Sequence, residues 1–126
     1  MKNVLITGGA TGIGKAAAQL FAEKGYQVYI TYNKTLPDFS GVTALKCDLS
    51  SVDDIESLFS NIDDIDVLVN NAGVSLIKMI NDVTKEDYES LMRVNSRAVY
   101  FCSKYAVSHM LKKHSGAIVN VSSMWG

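Results

Sequence analysis

The stretch Thr7-Gly8-Gly9-Ala10-Thr11-Gly12-Ile13-Gly14 stands between an apolar run, Val4-Leu5-Ile6, and an alanine-rich segment. Val4 to Ile6 has the length and β-branched bias of a buried parallel strand. Ile13 to Lys24 reads as a helix, with Ala16, Ala17, Leu20 and Phe21 on one face and Gly25 at the C-cap position. A strand, a glycine turn and a helix in that order can hold a pyrophosphate with the backbone. Gly8 and Gly12 allow the bend and Gly14 allows the helix to pack tightly on the strand. The helix start then offers unpaired N–H groups and the positive end of a dipole. The alternative is a glycine-rich turn with a structural role alone.

Strand and helix signals alternate along the rest of the chain, the pattern of a parallel sheet covered by helices. Gln27 to Thr31 reads as a second strand and Val42 to Cys47 as a third. The connection between them, Tyr32 to Gly41, holds Pro37 and has room for at most a turn of helix. Ser50 to Asp54 carries helix-start signals, and the helix is expected to run to about Ser60 with Val52, Ile55, Leu58 and Phe59 inward. Asp66 to Asn70 reads as a fourth strand. A long helical pattern opens at Thr84 and reaches His114, with Leu91, Val94, Ala98, Phe101 or Cys102, Tyr105 and Met110 at helical spacing. Ser115-Gly116 is expected to stop it, and Ala117 to Val121 forms a fifth strand.

A chain of 126 residues suggests one domain, short for a complete two-part enzyme. Its formal net charge of −1 gives no electrostatic footprint for nucleic acid or an anionic membrane. No apolar run is long enough to span a bilayer and no signal peptide opens the chain. Cys47 and Cys102 read as buried, reduced thiols, which fits a cytoplasmic protein. The Cys and His residues lack metal-ligand spacing, so no metal site is expected, and His109 reads as structural.

Five motifs, in order, carry a resemblance. They are Thr7 to Gly14, Asp48 after the third strand, Asn70-Asn71-Ala72-Gly73 after the fourth, Asn95 in the long helix, and Ile118 to Ser123 on the fifth strand. Over essentially its whole length the chain resembles the N-terminal half of the short-chain dehydrogenase/reductase family, most closely the 3-oxoacyl-[acyl-carrier-protein] reductase type. The resemblance implies a Rossmann-like three-layer α/β/α fold. Its parallel sheet would have the order 3-2-1-4-5 and be truncated after the fifth strand, forming one incomplete dinucleotide-binding domain. It also implies hydride transfer between a nicotinamide cofactor and a small carbonyl or alcohol substrate.

The implied roles fall on particular residues. Backbone N–H groups around Thr11, Gly12, Ile13 and Gly14 would hold the pyrophosphate. Asp48 would accept from the adenine amino group with Leu49 beside it, although alone it also reads as a helix cap. Asn71, Ala72 and Gly73 would pass the cofactor, although Asn-Asn also suits an ordinary turn. After the second strand no acid stands where a ribose 2′-hydroxyl would be bound, and none follows until Asp38. Lys34 could meet a 2′-phosphate there, with Asn33 beside it as a further cofactor-binding candidate, so NADP(H) is favoured over NAD(H). Lys34 also reads as a solvated loop lysine. Ser123 would polarise the substrate carbonyl. Asn95 would kink its helix and hold a water in a proton relay, or else face solvent.

The family's tyrosine–lysine pair, expected about a dozen residues past the serine, does not occur within these 126 residues. Tyr100-Phe101-Cys102-Ser103-Lys104 has the right spacing but precedes the serine strand, and reads as surface or interface packing. The 126 residues are therefore expected to be inactive alone. They are also expected to associate, as a homo-oligomer or with a C-terminal segment, because the fifth strand would be an apolar edge. Two other readings stand beside this one: a non-catalytic nucleotide-binding or assembly module complete at 126 residues, and a flavodoxin-like fold of another kind.

Overall fold

The structure is a computed structural model and describes residues 1–123. Its elements are β1 (Asn3–Ile6), α1 (Gly12–Glu23), β2 (Gln27–Tyr32), β3 (Thr43–Lys46), α2 (Val52–Ser60) and β4 (Val67–Asn70). A 3-10 turn (Ile80–Asp82), α3 (Lys85–Met92), a π-helical turn (Arg93–Arg97), α4 (Ala98–Lys113) and β5 (Ala117–Asn120) follow. The strands form one parallel sheet in the order β3-β2-β1-β4-β5. This is the Rossmann-like order the motifs imply, and Tyr32 to Gly41 contains no helix, as its proline suggests.

Alternation along β1 builds the three layers. Val4 and Ile6 face α1, together with Val28, Ile30 and Val69. Leu5 faces the other way, into a cluster of Ile55, Leu58 and Phe59 from α2, Leu68 from β4, and Cys102 and Ala106 from α4. Val4, Leu5 and Ile6 are each fully buried, and each such side chain contributes about 1.5–3 kcal/mol relative to exposure. Cys47 and Cys102 are buried free thiols, pushed up to about 12 by burial first and by nearby negative charge second. His109 is partly buried with its ring edge-on to Phe59 at 6.5 Å.

Local capping agrees with the sequence. The Ser51 hydroxyl accepts from Asp54 N at the start of α2 (3.2 Å). At α3, the Thr84 hydroxyl and the Asp87 carboxylate cap each other's backbone N–H.

Three expectations need correction. The inward row of α1 is Gly14, Ala17, Ala18, Phe21 and Ala22, whereas Ala16 and Leu20 face outward, Leu20 being 54% exposed. The close seating of Gly14 on the glycine turn sets the helix rotation and brings that row onto the sheet. The Thr84–His114 pattern is not one regular helix, since the π turn at Arg93–Arg97 interrupts it. Its stop is His114 itself, in the left-handed region (φ 53°), with Ser115 N donating back to Met110 O. Gly116 has another role there, because a Cβ at that position would collide with the Met110 side chain.

Past β4, the backbone from 71 to 79 has no regular structure and exposes Ile77 almost fully. Among the described residues β5 pairs only with β4, and it is exposed along its length, with Val119 at 49%.

Candidate functional site

The carboxyl ends of β1, β2 and β4 converge on Thr7. Its side chain is 3% exposed, and its hydroxyl oxygen accepts from both Asn71 N and Ala72 N, each at 3.0 Å. Asn71 returns the contact: its amide Nδ2 donates to Thr7 O and to Gly8 O, both at 3.1 Å. On the other flank, Gly8 N donates to the Thr31 hydroxyl (2.9 Å) and Gly9 N to Thr31 O (3.2 Å). Three separate strand ends are thus clasped around the glycine turn by side chains as well as by the sheet.

Within the turn, Gly8 and Gly12 have φ of 65° and 58°, the left-handed region that favours glycine. Gly14 is required for a different reason: a Cβ there would collide with Gly8 O and the Asn71 amide. The start of α1 is also unlike that of α2 or α3. Its N-cap, Thr11, makes no side-chain cap, and its first turn carries no acid. The first N–H groups of α1 are therefore left for an external acceptor, the feature an anion requires.

Beside the turn lies a cleft of about 190 Å³ lined by Gly8, Asn33, Asp48, Leu49, Ala72 and Gly73 among others. These candidates come from four separate strand ends. Thr31, Tyr32, Cys47, Val74 and Val94 also line it. Asp48 is held by its own loop: Oδ1 accepts from Ser50 N (3.0 Å) and from the Ser50 hydroxyl (2.6 Å). These bonds hold its carboxyl below the usual carboxylate range, the hydroxyl contributing most. Asp48 does not cap α2, since Ser51 does that, so Oδ2 remains available to accept from a donor in the cleft.

Thr11 and Gly12 line a second hollow, of about 230 Å³, on the outer side of the turn. Lys34 is exposed and lines neither cleft, nor does Ile13, which is 68% exposed. Asn95 lies in the π turn and is not a free surface residue. Its Oδ1 accepts from Val74 N (2.9 Å) and its Nδ2 donates to Val74 O (2.8 Å). It thereby ties the backbone after Gly73 to the helix. Ser123 lies three residues beyond the end of β5, exposed, and outside both clefts. Tyr100 is 65% exposed on α4, with Lys104 set over the Phe101 and Tyr105 rings, so this spaced pair packs at the surface. Among the described residues, no three His, Cys, Asp or Glu side chains converge as a metal site would need.

Several participants escape motif reading. Thr7 opens the fingerprint, but only the fold reveals that its hydroxyl clasps β4. Thr31, the residue before the last of β2, is a small polar side chain in a largely apolar strand, a weak signal for its role beneath Gly8. Asn70, 5% exposed, donates to the Asn120 carboxamide (2.9 Å) and the Ser103 hydroxyl (3.2 Å), joining β4, β5 and α4 just before the site.

With this geometry in view, the comparisons converge. The short chain dehydrogenase profile matches residues 2–126. A dehydrogenase/reductase SDR family member 6 from Xenopus laevis is 39% identical, over 98% of this chain and 52% of its own. A 3-oxoacyl-[acyl-carrier-protein] reductase FabG from Staphylococcus aureus is 29% identical, over 99% of this chain and 57% of its own. A metagenomic short-chain oxidoreductase solved in complex with NADP superposes with a TM-score of 0.89 at 25% identity, covering 98% of this chain and 62% of that one. The chain spans about half the length of the curated relatives it matches. It belongs to the short chain dehydrogenase family.

Proposed function

We propose that these 126 residues form one partial dinucleotide-binding domain of an NADP(H)-dependent oxidoreductase acting on a small carbonyl or alcohol, with a 3-oxoacyl-[acyl-carrier-protein] reductase-like substrate favoured. The observation that carries this reading is the cleft in which Gly8, Asn33, Asp48, Leu49, Ala72 and Gly73 meet beside an uncapped helix start. The residues fit the cofactor. The N–H groups of Thr11 to Gly14 would hold the pyrophosphate, Asp48 the adenine amino group, and Ala72 and Gly73 the backbone flank. When bound, the nicotinamide supplies the hydride. Ser123 would hold the substrate oxygen, and Asn95 fixes the segment after Gly73.

The absence of an acid directly after β2, before Asp38, supports NADP(H), as does the NADP complex among the related structures. No tyrosine–lysine pair follows Ser123 within these residues, so by themselves they bind cofactor without turning it over. Exposed Tyr88, Tyr100 and Leu111 on α3 and α4, and the open β5 edge, support association with a second copy or with further chain. Two buried, unpaired thiols suit a cytoplasmic setting.

Titration of NADPH with the folded chain tests the reading. A saturable change in NADPH fluorescence is expected, with a weaker response to NADH. Unchanged NADPH fluorescence, with the circular dichroism of a folded α/β protein, would overturn it. Measurable NADPH-linked carbonyl reduction by the 126 residues alone would refute the inactivity.

A further inference from the structure

The π turn Arg93–Arg97 is bonded to both walls of the cleft. Val94 itself lines the cleft. Asn95 holds Val74, on the wall that follows Gly73, through two hydrogen bonds. Arg97, two residues on, reaches the other wall: its guanidinium donates to the backbone carbonyl of Ser50. Residues two apart on a helix do not face each other, which sends the two side chains to different partners. Among the described residues no carboxylate pairs with Arg97, so this carbonyl is the acceptor it engages. Ser50 is also the residue that holds Asp48. Its N–H and hydroxyl both donate to Asp48 Oδ1, at 3.0 and 2.6 Å. Asp48 N donates in turn to Asp54 Oδ2 (3.1 Å), and Ser51 N to Asp48 O (3.0 Å). All these bonds are local, spanning at most 6 residues, and they set the shape of the loop. They do not fix where the loop stands relative to the far wall. Nor does any sheet hydrogen bond join the two walls directly, since β2 and β1 separate β3 from β4. The bond from Arg97 makes that link, across 47 residues, from a turn already tied to Val74.

We propose that Arg97 is a positioning residue for the nucleotide: by bracing Ser50 against the π turn, it sets the free oxygen of Asp48 where an adenine amino group meets it. This rests on the dinucleotide reading above and adds to it the residue that fixes the adenine end. Arg97 does not line the cleft, so it acts through Ser50 and Asp48. A charged donor makes a stronger bond than a neutral one, and hydrogen bonds weaken steeply once distance and angle are lost. Releasing Ser50 therefore lets Asp48 drift from the amino group. The glycine turn and Ala72-Gly73 keep their own bonds to Thr7 and Asn71, so the rest of the cleft stays in place.

Fluorescence titration of the chain with NADPH and with deamino-NADPH, in which an oxygen replaces the adenine amino group, tests the proposal. Wild type is expected to bind NADPH about 10-fold more tightly than the analogue. Arg97→Met should weaken NADPH about 5-fold and leave deamino-NADPH unchanged, so that the preference falls to about 2-fold. Arg97→Lys keeps a cationic donor and should recover most of the preference. Ser50→Ala removes the hydroxyl that joins the braced residue to Asp48, and should lower the preference by about 3-fold without any change to α4 or the π turn. The urea midpoints of these variants should stay close to wild type. The proposal is overturned if Arg97→Met weakens both nucleotides equally, or leaves the preference unchanged, or if Arg97→Lys recovers nothing. Should Arg97→Met not fold, an unchanged preference in Ser50→Ala overturns it instead. If wild type binds neither nucleotide, the dinucleotide reading falls and this proposal with it. If wild type prefers NADPH and the variants keep that preference, only the role of Arg97 falls.

Discussion

Thr7→Val isolates the clasp at the centre of the site. The two side chains have nearly the same shape, and Thr7 is 3% exposed, so the change leaves no large cavity. What it removes is one hydroxyl oxygen that accepts from Asn71 N and Ala72 N at 3.0 Å each. A hydrogen bond of this kind contributes a net of roughly 0.5–1.5 kcal/mol, and an unsatisfied buried donor costs about 1–3 kcal/mol. Asn71 and Ala72 are only partly buried, so water can reach the freed N–H groups and the lower range applies. The hydroxyl's own donation to Val69 O, at 3.5 Å, is too long to add much. The expected loss is therefore about 1–3 kcal/mol, or roughly 3–10 °C in Tm for a chain of this size. Urea unfolding followed by circular dichroism measures it as a lower midpoint at unchanged slope. Thr7→Ser, which keeps the oxygen, is expected to lose less than about 1.5 kcal/mol through its missing methyl. NADPH affinity should fall with Thr7→Val beyond the effect of Thr7→Ser, since the clasp sets where Ala72 and Gly73 stand. Equal stability for the valine and serine variants would refute the argument that the hydroxyl, rather than the packing, holds β1 to β4.

Gly14→Ala places a Cβ against Gly8 O and the Asn71 amide, so a loss of about 1–3 kcal/mol and of NADPH binding is expected in the same assays. His114→Gly relieves a left-handed residue at the end of α4 and is expected to raise stability by about 0.5–1 kcal/mol, read as a higher urea midpoint. At the opposite end of the sheet, Lys113 bonds Asp66, whose other oxygen accepts from Asn3 N, and these bonds hold the Asp66 carboxyl below its usual range. A group whose folded value is lowered stabilises above its unfolded value and loses that contribution as pH falls through the folded one. Wild type is therefore expected to lose stability below about pH 4, and Lys113→Met to show a shallower acid limb over that range in urea midpoints measured against pH. A parallel acid limb in the two proteins would contradict the pairing.

Much of the fold was legible along the chain because the relevant physics is local. Val4-Leu5-Ile6 reads as a buried strand from its composition, Ser51 and Thr84 announce helix starts, and Pro37 denies the β2–β3 connection a helix. The glycine turn, Asp48 and Ala72-Gly73 follow successive strand ends in the sequence, and the fold brings Gly8, Asp48, Ala72 and Gly73 to one candidate cleft. The rotation of α1 was not legible, because Ala16 and Leu20 fit helical spacing as well as Ala18 and Phe21 do. Only the contact of Gly14 with Gly8, made after the chain has folded back, selects between the two faces. The π turn at Asn95 was likewise hidden in an apolar pattern that continues through it.

By itself, the sequence determined the order of strands and helices, the glycine turn, and the family motifs strung along them. These depend on neighbours within a few residues. Tertiary structure decided that the Thr7 hydroxyl clasps a backbone 64 residues away, that Asn95 ties down Val74 across 21 residues, and that Lys15 pairs with Asp38 across 23 residues. Periodicity reports which residues prefer to be buried; it carries no information on which distant polar group each will meet. That pairing appears only when a parallel sheet gathers its carboxyl ends at one edge, as this one does.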